Sequence, residues 1–343
     1  MKDRLVIPLI INLKIFIIIK MFLILRPELK LIQEFILKAV PPYNFELSVQ
    51  KPAGWWWATP REIFLGGVLW TAIRFKDNLI GLKLTSINKT DSQSVKCSVF
   101  SKKKISREYK EDIQENLRRS LRTDEDLSNF YNMAKKDSIL KKVVKDLNGM
   151  RITGWPDLFP ALILAITLQM APFTRSSNMM DLLITKYGDT VTFDDKKLKY
   201  WPSPKTIEAT SVEDLKQEAK LGYRAQNLKS IAKTIQKGFP SIDEIHRMPV
   251  EEARKKLKEL RGIGDYSADL LLSERGFSLD VWSAKIFGIL LKGEEPDEPR
   301  EVIPELQQIA RERWNEWTGH AFVYILNDLP NLSKYIHVDL TRF

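Results

Sequence analysis

The stretch "LRGIGDYSADLLLSERGFSLDVW", Leu260 to Trp282, breaks a helical pattern with two glycines and then sets one acid, Asp280, directly before a tryptophan-bearing apolar run. On its amino-terminal side, "VEEARKKLKEL" places apolar residues at Val250, Ala253, Leu257 and Leu260, and on the other side "DYSADLLLSE" places them at Ala268, Leu271 and Leu272. Both spacings are helical, and only "RGIG" joins them, so the two helices form a tight hairpin. Gly262 and Gly264 allow positive φ and leave no side chain in the way, so backbone N–H groups at the start of the second helix can point outward together. Such a helix end is a natural seat for a phosphate. Ile263 between the glycines is expected to pack inward. An ordinary glycine-punctuated connection would use the same residues, so the spacing alone does not separate the two readings.

The surrounding chain narrows the choice. With 343 residues, 44% of them hydrophobic, it is long enough for two domains. Lys and Arg outnumber Asp and Glu by 54 to 44, a net charge of +10, which suits a polyanionic partner. The single cysteine, Cys97, excludes a disulfide within the chain, a cysteine-rich zinc site and a four-cysteine iron–sulfur cluster. Residues 1–40 open with "LVIPLIINLKIFIIIKMFLIL", apolar but interrupted by Pro8, Asn12, Lys14 and Lys20, and no small-residue cleavage site follows. That pattern fits neither a signal peptide nor a membrane span. It reads as an over-long gene model with translation starting at Met21, or as a hydrophobic appendage on the body.

Residues 41–120 form the next unit. "FELSVQ", "GGVLWTAIRFKDNLIGLKLTSI" and "SVKCSVFS" alternate or run β-branched, with "KDN" as a turn, and predict an antiparallel sheet between about residues 43 and 102. "SKKKISREYKEDIQENLRRSLRT" reads as a polar connector with some helix. Residues 121–343 carry almost no strand signal and many capped helical patterns. The fold class expected is α+β, a small amino-terminal sheet domain followed by a mainly helical one.

The hairpin followed by Asp280 resembles the helix-hairpin-helix motif and catalytic aspartate of the helix-hairpin-helix DNA glycosylases. "DEDLSNFYNMAKKDSILKKVVKDLNGMRITGWPDLFPALILAITLQM", "LGYRAQNLKSIAKTI" and "ARERWNEWTGHAFVYIL" resemble other parts of the same superfamily, in the same order, over about residues 122 to 329. The 3-methyladenine and 8-oxoguanine branches are the most similar, and both add an amino-terminal α+β domain. The resemblance implies base-excision repair: a damaged base is flipped out of duplex DNA and its bond to the sugar is cleaved.

That chemistry develops oxocarbenium-like charge on the sugar, which a carboxylate beside the anomeric carbon stabilises more in the transition state than in the ground state. Asp280 is the residue the resemblance assigns, although it also suits a plain helix N-cap. Its loop, "GFSLD", is shorter than the family's and lacks the usual proline, while the D-x-W-x-x-K arrangement with Trp282 and Lys285 is kept. DNA contacts fall to Gly262, Ile263, Gly264, Ser267 and Lys285. Tyr266 and Trp282 are expected at the base pocket, and Gln169 and Met170 at the wedge that fills the vacated stack. Tyr266 stands where bifunctional relatives carry the Schiff-base lysine, so a monofunctional hydrolase acting on an alkylated purine is expected. An 8-oxoguanine glycosylase with lyase activity and a catalytically inactive DNA-binding protein stay open as alternatives. The resemblance further implies a monomer acting on damaged double-stranded DNA, away from membranes and with the chromosome in the cytoplasm. It implies no cofactor and no metal held by side chains, beyond a monovalent cation on hairpin carbonyls. Trp55 to Trp57 read as packing at the domain junction, and Arg224 and Gln226 as a phosphate contact or a solvated face.

Overall fold

The sheet is organised around a two-residue reversal, in which β3 (Val68–Phe75) and β4 (Asn78–Ile87) pair with Phe75 opposite Asn78. Lys76 and Asp77 between them both take positive φ, at 44° and 62°, the backbone twist that matches a right-handed hairpin. With β1 (Lys30–Lys38), β2 (Ile63–Leu65) and β5 (Ser94–Ser101) they form a five-stranded antiparallel sheet in the order β1-β5-β4-β3-β2. This computed structural model describes residues 28–87, 94–272, 277 and 279–342, so the apolar stretch over residues 1–27 and part of the "GFSLD" loop lie outside the described residues.

Three local expectations are corrected. The sheet begins earlier than residue 43, because Lys30–Lys38 is its edge strand, inside the segment read as an appendage. "FELSV" is a short helix, Phe45–Val49, since the Asn44 side chain accepts a hydrogen bond from Leu47 N–H at 3.0 Å and starts a helical turn. The supposed connector is the amphipathic helix Arg107–Leu121, whose Ile113, Leu117 and Leu121 recur every four residues and are fully buried. These side chains pack with Phe45, Val49, Ile80, Leu82 and Val99 on one face of the sheet.

The other face is stitched to the helical region by a second hairpin that its polar sequence concealed, β6 (Asp189–Phe193) and β7 (Lys196–Tyr200). Asp194 and Asp195 make its turn at positive φ. Asp194 accepts from Trp70 Nε1–H at 2.6 Å and pairs with Lys83 at 2.9 Å. The Phe193 ring lies so close to Gly81 that a Cβ there would sit 2.5 Å from it.

The helices gather into two apolar clusters. One contains the helix Leu158–Leu168, apolar apart from Thr167, the helix Arg224–Gln236 and the hairpin Val250–Lys258 and Asp265–Leu271. The other contains Ser128–Ala134, Leu140–Asp146, Val281–Lys292, Pro299–Trp314 and Thr318–Asn327, around Phe130, Phe287, Trp314 and Tyr324. Leu272 belongs to the first cluster and Phe277 already to the second, shortly before Asp280. Among the described residues no helix is long and apolar enough to cross a membrane.

Arg151 ties the sheet domain to the second cluster. Its side chain is fully buried, and Nη2 donates to Val40 O at 2.9 Å and Glu125 O at 3.0 Å, with the Glu125 carboxylate 3.7 Å from Nε. Arg151→Met removes the donor to Val40 O and Glu125 O and leaves the Glu125 carboxylate with His320 alone, at 3.3 Å, a class of change that costs about 3–5 kcal/mol. Urea unfolding is the check, and a loss under about 1 kcal/mol would show that the arginine is not a tie.

Candidate active site

The two hairpin glycines have different jobs. Gly262 has φ +86°, and a Cβ there would meet Asn227 Nδ2 at 2.5 Å. Gly264 has φ −100° with nothing near its Cβ position, so of the two glycines that allow positive φ only the first adopts it. Gly264 is the N-cap of Asp265–Leu271 without a side-chain cap, and its carbonyl accepts from Ala268 N–H at 2.9 Å. The earlier amides of that turn therefore have no intrahelical partner. Ile263 is buried, as the pattern required, and its N–H closes the turn onto Leu260 O at 3.0 Å. Arg254 grips Asp269 at 2.7 Å, and Lys258 grips Asp265 at 2.6 Å.

Gln169 clamps this hairpin to the end of the apolar helix. Its Nε2 donates to Gly262 O at 2.6 Å and to Ser267 Oγ at 3.1 Å. Ser267 is only 3% exposed, so its hydroxyl serves this internal clamp. Gln169 is likewise tethered inward, and Met170 alone of the pair projects. Met170 is 82% exposed and held at φ 45°, a left-handed backbone that turns the chain sharply outward. Arg224 is buried, contrary to the solvated-face reading. It donates to Gln169 O and lies over the exposed Tyr223 ring, 4.6 Å from its centroid. Of the hairpin carbonyls, Gly262 O and Leu260 O each accept one hydrogen bond and keep a second lone pair.

Asp280 is the N-cap of Val281–Lys292, and the cap is reciprocal. Its Oδ1 accepts from Ser283 N–H at 2.8 Å and from Ser283 Oγ–H at 2.7 Å, while Asp280 N–H donates to Ser283 Oγ at 2.9 Å. Oδ2 has no hydrogen-bond partner among the described residues, and the residue is half-buried. One carboxylate oxygen is thus fixed and the other left open. Burial, with the Asp280 carboxylate second, pushes the Tyr266 phenol up to about 12, so Tyr266 stays a neutral hydroxyl next to that acid. Trp282 is 41% exposed on the first turn beyond Asp280. Lys285 is held by Glu295 at 2.9 Å.

Six of the ten large apolar side chains exposed among the described residues lie on these few segments: Met170, Phe173, Tyr223, Tyr266, Val281 and Trp282. Such a concentration marks an interaction face. Sequence reasoning missed Phe173, which meets Trp55 edge-on at 5.8 Å, and it missed Glu62. Glu62 accepts from the N–H groups of Trp57 at 3.0 Å and Ala58 at 2.6 Å and so shapes the tryptophan loop. The spacing of Glu62 from "WWW" carried no motif that could have flagged it. Trp57 donates to Gly154 O at 3.2 Å, while Trp55 and Trp56 pack against the first apolar cluster.

No family model matches the chain. Over 217 residues it is 28% identical to a DNA-3-methyladenine glycosylase of Bacillus subtilis, covering 59% of this chain and 67% of that one. Over 225 residues it is 23% identical to a probable N-glycosylase/DNA lyase of Methanothermobacter thermautotrophicus, covering 59% and 70%. The solved 3-methyladenine DNA-glycosylase from Archaeoglobus fulgidus superposes with a TM-score of 0.67 at 18% identity, across 89% of this chain and 99% of that one. The relatives and solved structures that the chain resembles are DNA glycosylases of the helix-hairpin-helix superfamily.

The unequal glycines give a direct check. Gly262→Ala should cost about 1–2 kcal/mol from backbone conformation alone, before Asn227 is displaced. Gly264→Ala should cost under about 1 kcal/mol, the loss of a tolerant N-cap residue. Thermal unfolding of the two variants compares them, and equal losses would contradict the assignment.

Proposed function

We propose that this protein is a base-excision-repair DNA glycosylase that extrudes a damaged base, an alkylated purine, from duplex DNA and hydrolyses its N-glycosidic bond. The observation that carries this reading is the Asp280 carboxylate, pinned through Oδ1 by Ser283 and open at Oδ2 beside Tyr266. A preorganised anion of this kind opposes the positive charge that grows on the sugar as the base leaves, without reorganising during the reaction. The same oxygen can orient or deprotonate the attacking water.

Each neighbour has a part. Met170, exposed on its outward turn, enters the stack where the base has left, a use of apolar side chains common to proteins that unstack DNA. Tyr266 and Trp282 offer aromatic surface to the flipped base, and electron-rich rings favour a cationic 3-methyladenine or 7-methylguanine through cation–π attraction. Gly262, Ile263 and Gly264 set the hairpin backbone toward a phosphate, which positions the duplex without reading its sequence. Lys285, on the helix behind Asp280, reaches a phosphate by exchanging its pairing with Glu295. A monovalent cation on the hairpin carbonyls would add to that hold.

The reaction is monofunctional. Tyr266 has no amine to form a Schiff base, and its phenol, raised to about 12, is no nucleophile at neutral pH. The protein acts as a monomer on chromosomal DNA in the cytoplasm.

Single-turnover assays on duplexes with one 3-methyladenine, 7-methylguanine or 8-oxoguanine test the reading, with and without alkali afterwards. The wild type should release a methylated purine and leave strands that break only in alkali, with no borohydride-trapped adduct. Asp280→Asn should lower release about 10²–10⁴-fold with duplex affinity kept. Ser283→Ala, which removes the Oγ–H bond to Oδ1 and the acceptor for Asp280 N–H but keeps the backbone N–H bond to Oδ1, should lower release by up to about tenfold, equivalent to the roughly 1 kcal/mol of a weakened cap. Undiminished excision by Asp280→Asn would refute the assignment, and a trapped adduct would favour the lyase alternative.

A further inference from the structure

Away from the hairpin and Asp280, the short helices Ser128–Ala134 and Leu140–Asp146 lie side by side and enclose a groove of about 540 Å³. One wall is Ser128, Tyr131, Asn132 and Lys135, spaced one helical face apart, and the other is Lys141, Val144 and Lys145. Pro42 and Asn148 complete the lining. The groove lining thus has three lysines, two amides and two hydroxyl-bearing residues, Ser128 and Tyr131, and no carboxylate.

The wider segment keeps that sign. Between residues 128 and 148 the chain has five lysines, 135, 136, 141, 142 and 145, against two aspartates. Asp137 is held by Arg313 at 2.5 Å and Trp314 at 3.1 Å, while Asp146 is half-buried with one carboxylate oxygen that has no hydrogen-bond partner among the described residues. Asp126, just before the first helix, accepts from Ser128 N–H at 2.8 Å. Lys135, Lys136, Lys141 and Lys145 are exposed, and among the described residues none has a carboxylate within ion-pairing distance. The surface groove beside the hairpin differs, for its Arg254, Lys255 and Lys258 are balanced by Glu251, Asp265 and Asp269, and Arg254 and Lys258 are already paired with those acids.

We infer that the lysine groove is a second contact for the DNA backbone, taking phosphates of the duplex outside the damaged site; this rests on the functional reading above. Lysines act as mobile point charges for phosphate, and Ser and Asn side chains suit phosphate and sugar oxygens. The apolar lining is limited to Pro42, Val144 and part of Tyr131, too little for the buried aromatic or aliphatic anchor that a protein partner would need. Contacts of this kind raise affinity without sequence preference and steepen its salt dependence.

The test is a triple variant, Lys135→Gln with Lys141→Gln and Lys145→Gln, changes at exposed positions only. Binding of the full chain to an undamaged duplex of about three helical turns, long enough to span more than one contact, is measured against salt concentration. Excision of a methylated base is followed at saturating enzyme, and binding to an acidic polyglutamate peptide is run in parallel. The expected result is a salt slope shallower by about 2–3, affinity down about tenfold or more, and an unchanged rate of base release. An unchanged slope and affinity with excision intact would overturn the inference alone, as would loss confined to the acidic peptide. Failure of the wild type to bind duplex DNA would overturn the functional reading and this one with it.

Discussion

The reciprocal cap between Asp280 and Ser283 is the constraint on which the site depends. A lone carboxylate on a loop samples many rotamers, and a catalytic anion that must reorient loses much of its advantage. Here the serine holds Oδ1 by two hydrogen bonds and the backbone of Asp280 by a third, so the cap and the site are one structure. The helix it begins is anchored by fully buried Ile286 and Phe287, so the acid inherits the rigidity of a core element.

A rigid acid needs an equally well-placed DNA seat. The acid belongs to one apolar cluster and the hairpin to the other, and the chain passes between them only a few residues before Asp280. Gln169 and Arg224 organise the hairpin side, where a single amide group binds the hairpin turn and the second helix, and a buried guanidinium binds the glutamine carbonyl. The exposed Met170, Phe173 and Tyr223 project from this clasp, so apolar groups on the surface are held by a polar network beneath it. The sheet joins the helical region through the Asp189–Tyr200 hairpin, by way of Asp194 with Trp70 and Lys83, and through Arg151.

How much of this could be read from the chain differs by level. The hairpin, its inward Ile263 and the capping role of Asp280 follow from local rules: helical spacing, glycine punctuation and the preference of aspartate for N-caps. The sheet's central strands were legible from alternation, as was the turn at Lys76 and Asp77. The Arg107–Leu121 helix was hidden because ten of its fifteen residues are charged or amide-bearing, and only a four-residue apolar stripe betrays it. Lys30–Lys38 merged into an apolar stretch with no boundary signal, and "FELSV" satisfied strand and helix patterns alike until Asn44 decided it. At the site, Gln169, Ser267 and Arg224 could be picked out but not oriented, since whether a polar side chain faces solvent or a distant backbone carbonyl is a tertiary fact. Glu62 and the lysine groove depend on elements meeting in space, and no linear pattern encodes them.

The central claim is that an Asp280 oxygen, left open by its cap, meets the sugar of an extruded nucleotide. The most direct measurement is a crystal structure of the protein bound to a duplex carrying a cationic abasic-sugar analogue at one position. The account predicts Asp280 Oδ2 at about 3.5 Å from the atom that replaces the anomeric carbon, with the Ser283 hydrogen bonds to Oδ1 preserved and Met170 in the vacated stack. An analogue bound with Asp280 turned away, or seated against a different acid, would contradict it.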